Sequence, residues 1–169
     1  GECACVSIHG ANRLGTNALL ELVVMGRRTG MEMARRVRQG KDYAPLPESP
    51  EQTTRDMLDN LLSNSRDEGE PIVKPRSELQ ETMMENVSVF RNDDTLTTAL
   101  NDIQGLRQRA QNVVVEDKGK RFNTDLMDAV ELGYMVDYAE AIAACARHRT
   151  ESRGAHSRED YQNRNDDEG

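Results

Sequence analysis

From about Ser77 to Arg147 apolar residues return every three or four positions, a period that requires helices packed on one another. The spacing predicts a first helix from about Ser77 to Phe90, with Leu79, Met83, Val87 and Phe90 on one face. A second, from about Asp94 to Val115, repeats Leu96, Leu100, Ile103, Leu106, Ala110 and Val113. A third, from about Asn123 to Arg147, uses Leu126, Val130, Tyr134, Tyr138 and Ile142 as its inner face, with Ala139, Ala143 and Ala144 small enough to admit a close neighbour. The three together read as an antiparallel bundle whose apolar residues are core, with no cofactor box among them.

The residues before this bundle follow other rules. GECACVSI, Gly1 to Ile8, is small and apolar, as in a strand packed on both faces of an α/β sheet, yet no partner strand follows it. The expectation is a piece of a longer protein, cut at both ends. From Asn17 a helix begins with Leu19, Leu20, Leu22, Val23, Val24 and Met25, apolar enough to be buried in a parent domain, and turns polar and basic after Gly26. Gly40 to Pro50 reads as a connector, and Ser49, Pro50 and Glu51 as the cap, first-turn proline and first-turn acid of a helix burying Met57, Leu58, Leu61 and Leu62. Arg66 to Pro75 reads as a polar loop, and the tail from Thr150 as charged and extended. The fold class is mainly α: a strand-loop-helix piece of an α/β domain, then an antiparallel helical bundle.

Composition excludes several classes of function. Only 36% of the chain is hydrophobic, so polar helices and loops dominate. A net charge of -8 argues against nucleic acid as a partner, because a phosphate-tracking surface needs clustered, unopposed Lys and Arg. The basic stretch Arg27, Arg28, Arg35, Arg36 and Arg38 reads as a solvated helix face. No run approaches the ~18 apolar residues of a spanning helix, and the start lacks the zones of a signal peptide. Three cysteines are an odd number and suit a reducing compartment. Cys3 and Cys5 point to one face of a strand without a second ligand pair, so packing is expected and no metal.

Chemistry concentrates in HGANRLGTNALL, His9 to Leu20. Gly10, Ala11, Gly15 and Thr16 let backbone N–H groups approach an anion or carbonyl, and the loop enters a helix whose first N–H groups, at Ala18 and Leu19, would face it with partial positive charge. Arg13 brings a guanidinium fork suited to a carboxylate; on the residues alone, a helix-capping or buried ion-pair Arg is the favoured reading. His9 reads as structural.

GECACVSIHGANRLGTNALLELVVMGR resembles the signature that ends the FAD-binding domain of succinate dehydrogenase and fumarate reductase flavoproteins. RTESRGAHSRED, Arg149 to Asp160, resembles a C-terminal-domain motif of that family, and FNTDLMDAVELGYMVDYAEAIAACA its last long helix; residues 38 to 75 match least. The resemblance implies three regions: 1–48, the end of an FAD-binding domain with its connector; 49–75, a linking helix and loop; and 76–169, a truncated helical domain. It implies FAD as cofactor, covalently attached outside this chain, and oxidation of succinate to fumarate by hydride transfer to it. Implied partners are succinate and fumarate, an iron–sulfur subunit and, through it, membrane anchor subunits and quinone. The implied place is the cytoplasmic face of the bacterial inner membrane or the mitochondrial matrix face, with no direct span. Arg13 then binds a substrate carboxylate, Glu2 holds FAD hydroxyls, and Ala18 and Leu19 meet the isoalloxazine ring. The family commonly has Ser where this chain has Ala18, and Pro and Asp where it has Gln162 and Asn165. Arg153, His156 and Arg158 read as a hydrogen-bonded corner or part of the iron–sulfur subunit contact rather than as catalysts. Fumarate reductase is the alternative; an aspartate oxidase relative or a non-catalytic helical interaction module are others. The isolated piece is expected to be inactive.

Overall fold

The computed structural model describes residues 8, 9, 13, 15–39, 45–67 and 69–167. Glu2, Cys3, Cys5 and, apart from Ile8, the expected opening strand lie outside the described residues. The elements in order are α1 (Asn17–Arg38), α2 (Gln52–Ser63), β1 (Glu70–Pro71), α3 (Val73–Asn86), β2 (Phe90–Arg91), α4 (Asp93–Ala110), β3 (Val113–Val114), α5 (Thr124–His148) and β4 (Ser157–Arg158). The chain is mainly helical, as its periodicity requires.

The core is a seam between α4 and α5. On α4 the buried residues are Leu96, Ala99, Ile103, Leu106 and Ala110; on α5 they are Ala129, Leu132, Val136, Ala139, Ala143 and Ala146. Both sets step by three and four, which keeps one stripe of each helix facing its partner. The alanines bring the helices close, and Ala99, Ile103, Leu132 and Ala143 are fully buried. Asp93 at the start of α4 pairs with Arg147 near the end of α5, and Arg107 pairs with Asp137 and Glu140, so the two run antiparallel. α3 joins the same layer through Leu79, Arg109 bonding Glu78, and Arg76 donating to the Asp128 carbonyl on α5 at 3.1 Å.

This arrangement corrects the expected inner face of α5. Tyr134, Tyr138 and Ile142 point outward and are exposed, while the smaller residues between them form the seam. Periodicity alone does not choose between the two apolar stripes; close approach of α4 selects the one with smaller residues. Ala139 and Ala143 are buried as expected, and Ala144 is exposed.

The helix ends shift for local reasons. α3 starts before Ser77 because Pro75 falls within the first turn, where its missing N–H removes no intrahelical bond. It ends at Asn86; Val87 is buried just beyond, and Phe90, expected on the helix face, is exposed in β2. α4 stops at Ala110, and the β-branched run Val113, Val114 and Val115 is buried as extended chain. Two short parallel pairings close these connections: Glu70 and Pro71 with Val113 and Val114, and Phe90 and Arg91 with Ser157 and Arg158. Gly69 is needed beside the first, since a Cβ there would lie 2.2 Å from the Asn112 carbonyl oxygen.

Caps supply the remaining polarity. Asn92 and Thr95 exchange hydrogen bonds as a capping box on α4. Asn123, which is buried, accepts from the Leu126 N–H at 2.7 Å and donates to the carbonyls of Asp117 and Gly119, fixing both the start of α5 and the loop before it. α2 begins at Gln52, later than its Ser49 cap implied: the Ser49 carbonyl, not its hydroxyl, receives the Gln52 N–H. Of its four expected core residues only Leu61 is fully buried. No residue of α1 is buried, and its basic face is solvated as read, with Glu32 holding both Arg35 and Arg36.

The seam makes an asymmetric prediction for thermal unfolding. Ala143→Leu should cost about 1–3 kcal/mol by overpacking the α4 contact. Tyr138→Ser, on the outer stripe, should stay within about 0.5 kcal/mol. Equal losses from the two would place the aromatic stripe in the core instead.

Candidate functional site

Two groups of polar residues are candidates for function, one at each end of the described chain. At the first, α1 begins at Asn17, and its N-cap, Thr16, makes no side-chain hydrogen bond. The Ala18 and Leu19 N–H groups, expected to be free, turn back to the Gly15 and Thr16 carbonyls at 3.4 and 3.1 Å. The bond from Ala18 lies beyond the usual range, so its N–H remains available to a better acceptor. The first turn carries no acid of its own, which leaves the positive end of the helix uncompensated. Ala18 is half-buried and Leu19 exposed.

His9 and Glu21 pair at 2.5 Å, tying the loop to the second turn of α1, a structural role as read. Arg13 is exposed, and among the described residues no acid pairs with it. A guanidinium that no described acid pairs with, in the segment leading into a helix start without a first-turn acid, suits an anionic group such as a carboxylate. Glu2 cannot be brought into this geometry because it lies outside the described residues. Arg13, Ala18 and Leu19 are neighbours along one loop-to-helix segment, and that is as far as the structure assembles them.

The second group is a buried polar corner after α5. Glu151, His156 and Arg158 are all nearly inaccessible, and Arg158 is 1% exposed. Its guanidinium forks onto both oxygens of Asp160 at 2.7 and 2.6 Å, and its remaining nitrogen donates to the carbonyls of Ala146, Arg147 and Arg149. A cation thus caps the C-terminal carbonyls of α5. Asp160 also accepts the Asp93 N–H at 2.9 Å, joining the start of α4 to the same corner.

Glu151 receives Arg153 in bidentate fashion, Arg149 on one oxygen and the Asn165 N–H on the other. Arg153, chiefly, and that backbone bond hold its carboxyl at about 2; Arg158 does the same for Asp160, also to about 2. His156 lies between Arg91, whose Nη1 approaches its Nδ1 at 2.8 Å, and the Arg149 carbonyl, 3.1 Å from its Nε2. A guanidinium has no acceptor, so Nδ1 must accept and Nε2 must carry the proton; the ring is neutral. Arg153, His156 and Arg158 therefore do form a hydrogen-bonded corner. Glu151 and Asp160 stood within the motif but were not singled out. Arg91 and Asp93 are remote in sequence and carried no local signal.

A family model described as the fumarate reductase flavoprotein C-terminal region matches residues 76–168, which take in the bundle and the corner. The chain belongs to the succinate dehydrogenase and fumarate reductase flavoprotein family. It is 38% identical over 168 residues to the succinate dehydrogenase flavoprotein subunit of Rickettsia bellii, covering 99% of this chain and 28% of that protein. It is 40% identical over 162 residues to the fumarate reductase flavoprotein subunit of Proteus vulgaris, covering 95% of this chain and 27% of that one. Its structure superposes on a chain of the Mycobacterium smegmatis Sdh1 complex in the apo form with a TM-score of 0.85 at 36% identity, covering 96% of this chain and 27% of the other. The chain thus spans under a third of the length of the curated relatives it matches.

In this family member the carboxylates of the corner stay ionised far into acid. With the open-chain carboxyls near 4.5 and 3.8 and the folded ones near 2, their contribution is complete above about 4.5 and is lost as pH falls toward about 2. The amide resonances of Asn165 and Asp93, which bond Glu151 and Asp160, should titrate near pH 2. Midpoints near pH 4 would contradict the ion-paired corner.

Proposed function

We propose that this chain is part of the flavoprotein subunit of succinate dehydrogenase, in which its first helix and the loop before it form one wall of the flavin and dicarboxylate site. The observation that carries the reading is the pairing of an uncompensated helix start at Asn17 with an exposed Arg13 that no described acid neutralises. In this reading residues 1–48 end an FAD-binding domain, 49–75 link it onward and 76–169 form the helical domain. FAD, when bound, supplies the acceptor for the hydride taken from succinate. Arg13 grips a substrate carboxylate with its fork and fixes the dicarboxylate in place, and its permanent charge favours the more anionic transition state. Glu2 accepts hydrogen bonds from FAD hydroxyls. Ala18 and Leu19 offer the ring a flat backbone edge; Ala18 has no hydroxyl, so any hydrogen bond to the flavin from that position is from the main chain.

Electrons then pass to an iron–sulfur subunit and, through membrane anchor subunits, to quinone. The subunit itself lies at the membrane surface, on the cytoplasmic side in a bacterium or the matrix side in a mitochondrion. No helix among the described residues is long and apolar enough to cross a membrane, which suits a peripheral place. The similarity to the Proteus vulgaris subunit keeps fumarate reductase as the second reading, since it runs the same two-electron chemistry in the opposite direction.

The test is Arg13→Lys in the intact subunit. Turnover with succinate should fall by about 100-fold with FAD retained, because the charge stays but the bidentate fork is lost. Undiminished turnover would remove Arg13 from the site. Comparing succinate oxidation with fumarate reduction in the unaltered enzyme separates the two directions.

A further inference from the structure

No hydrophobic core residue of the described chain lies beyond Ala146; what is buried after it is polar, namely Glu151, His156 and Arg158. The segment after α5 is therefore held to the bundle by hydrogen bonds and charge. Its attachments converge on two places. On α5 they are the last carbonyls, taken by Arg158 and by His156 Nε2. On the turn from β2 into α4 they are Arg91, which bonds His156 Nδ1 and whose carbonyl accepts the Glu159 N–H at 2.7 Å, and the Asp93 N–H, taken by Asp160. His156 is the one group of this set that bridges both places through a ring able to change charge near neutrality.

The surroundings fix the consequence of that change. Facing the imidazole are Arg91 from β2, Arg149 at the end of α5 and Arg158 from β4, all cations. The acids of the cluster are committed elsewhere: Glu151 to Arg149 and Arg153, Asp160 to Arg158, and Asp93 to Arg147. A proton on Nδ1 would abolish the bond from Arg91 and set a fourth positive charge among three.

We propose that residues 150–167 form a clasp that opens as a unit when His156 takes up a proton, while the α3–α4–α5 core stays folded. Opening would uncover Arg158 and the carbonyls at the end of α5. Burial first, and the neighbouring cations with it, depress the proton affinity of His156 below its ordinary value, against a partial rise from the Arg149 carbonyl. The sign follows: the open segment binds the proton more readily than the closed one, so closure is complete above about pH 6.5 and weakens as pH falls below it.

The experiment is amide hydrogen exchange on the whole chain at about pH 7.5 and about pH 5.5, corrected for the intrinsic rate, since an imidazole titrates between them. At the lower pH the amides of His156, Arg158 and Glu159 should lose up to about tenfold of their protection, one pH unit below the free imidazole value. Amides of the core, such as those of Ile103 and Val136, should keep theirs. His156→Gln cannot titrate, and in it the pH step should vanish. Unchanged protection of the segment, a parallel loss in the core, or a step that persists in His156→Gln would each overturn the clasp. Should that variant leave the segment open at both pH values, the wild-type ring decides. The chain has three histidines, so each imidazole signal can be assigned. Proton uptake by His156 over the range where protection is lost supports the clasp, and loss without uptake refutes it.

Discussion

The close approach of α4 to α5 is the constraint on which the remaining structure depends. It exists because alanines recur on α5 at the same alternating steps as the larger residues of α4, so knobs of one helix enter gaps of the other. That distance sets where the ends of the two helices meet. Asp93 reaches Arg147, and the last carbonyls of α5 come to the side of the turn before α4, where the chain must return after Arg149. The two parallel pairings are short, and each fastens an extended connection onto an already positioned helix pair. A wider seam would leave those connections without partners.

Upon that frame the chain divides by the kind of force that holds it. The bundle is held chiefly by apolar burial, with ion pairs such as Arg107 with Asp137 and Arg109 with Glu78 at its edges; that burial is indifferent to pH. The segment beyond α5 is held by ionised pairs and one neutral imidazole, which are not. Among the described residues α1 has no buried residue and only ion pairs of its own, His9 with Glu21 and Glu32 with Arg35 and Arg36. Its apolar Leu19, Leu20, Leu22, Val23 and Val24 are exposed, and an apolar surface of that extent marks a face that another surface covers. On the proposed reading, the remainder of an FAD-binding domain supplies that cover.

Much of this was legible in the residues. The three bundle helices were readable because their periods are long and consistent, and α4 showed its true inner face because Leu96, Ile103 and Leu106 are both large and buried. On α5 the stripe with Tyr134, Tyr138 and Ile142 faces outward and the seam is mostly alanine, with Leu132 and Val136; periodicity alone cannot choose between two stripes of a helix that is apolar on both. The helix ends were missed where tertiary pairing overrode local pattern, as with Val113 and Val114 drawn into β3 and Phe90 into β2. The ESRGAH corner was legible as a corner, but its remote partners were not, because the Arg91 guanidinium and the Asp93 N–H reach it only through the folded chain. The loop carrying Arg13 was found from residue types and resemblance, and its exposure, with no acid pairing with it among the described residues, is what the structure adds.

On the proposed function, Arg13 and the start of α1 belong to a site where succinate meets FAD. The most direct measurement is anaerobic addition of succinate to the intact, FAD-loaded subunit while the visible absorption of the flavin is followed. Bleaching by succinate, reversed by excess fumarate, is the predicted result. A flavin that stays oxidised with succinate, and that fumarate cannot reoxidise after chemical reduction, would rule out a succinate site at the flavin.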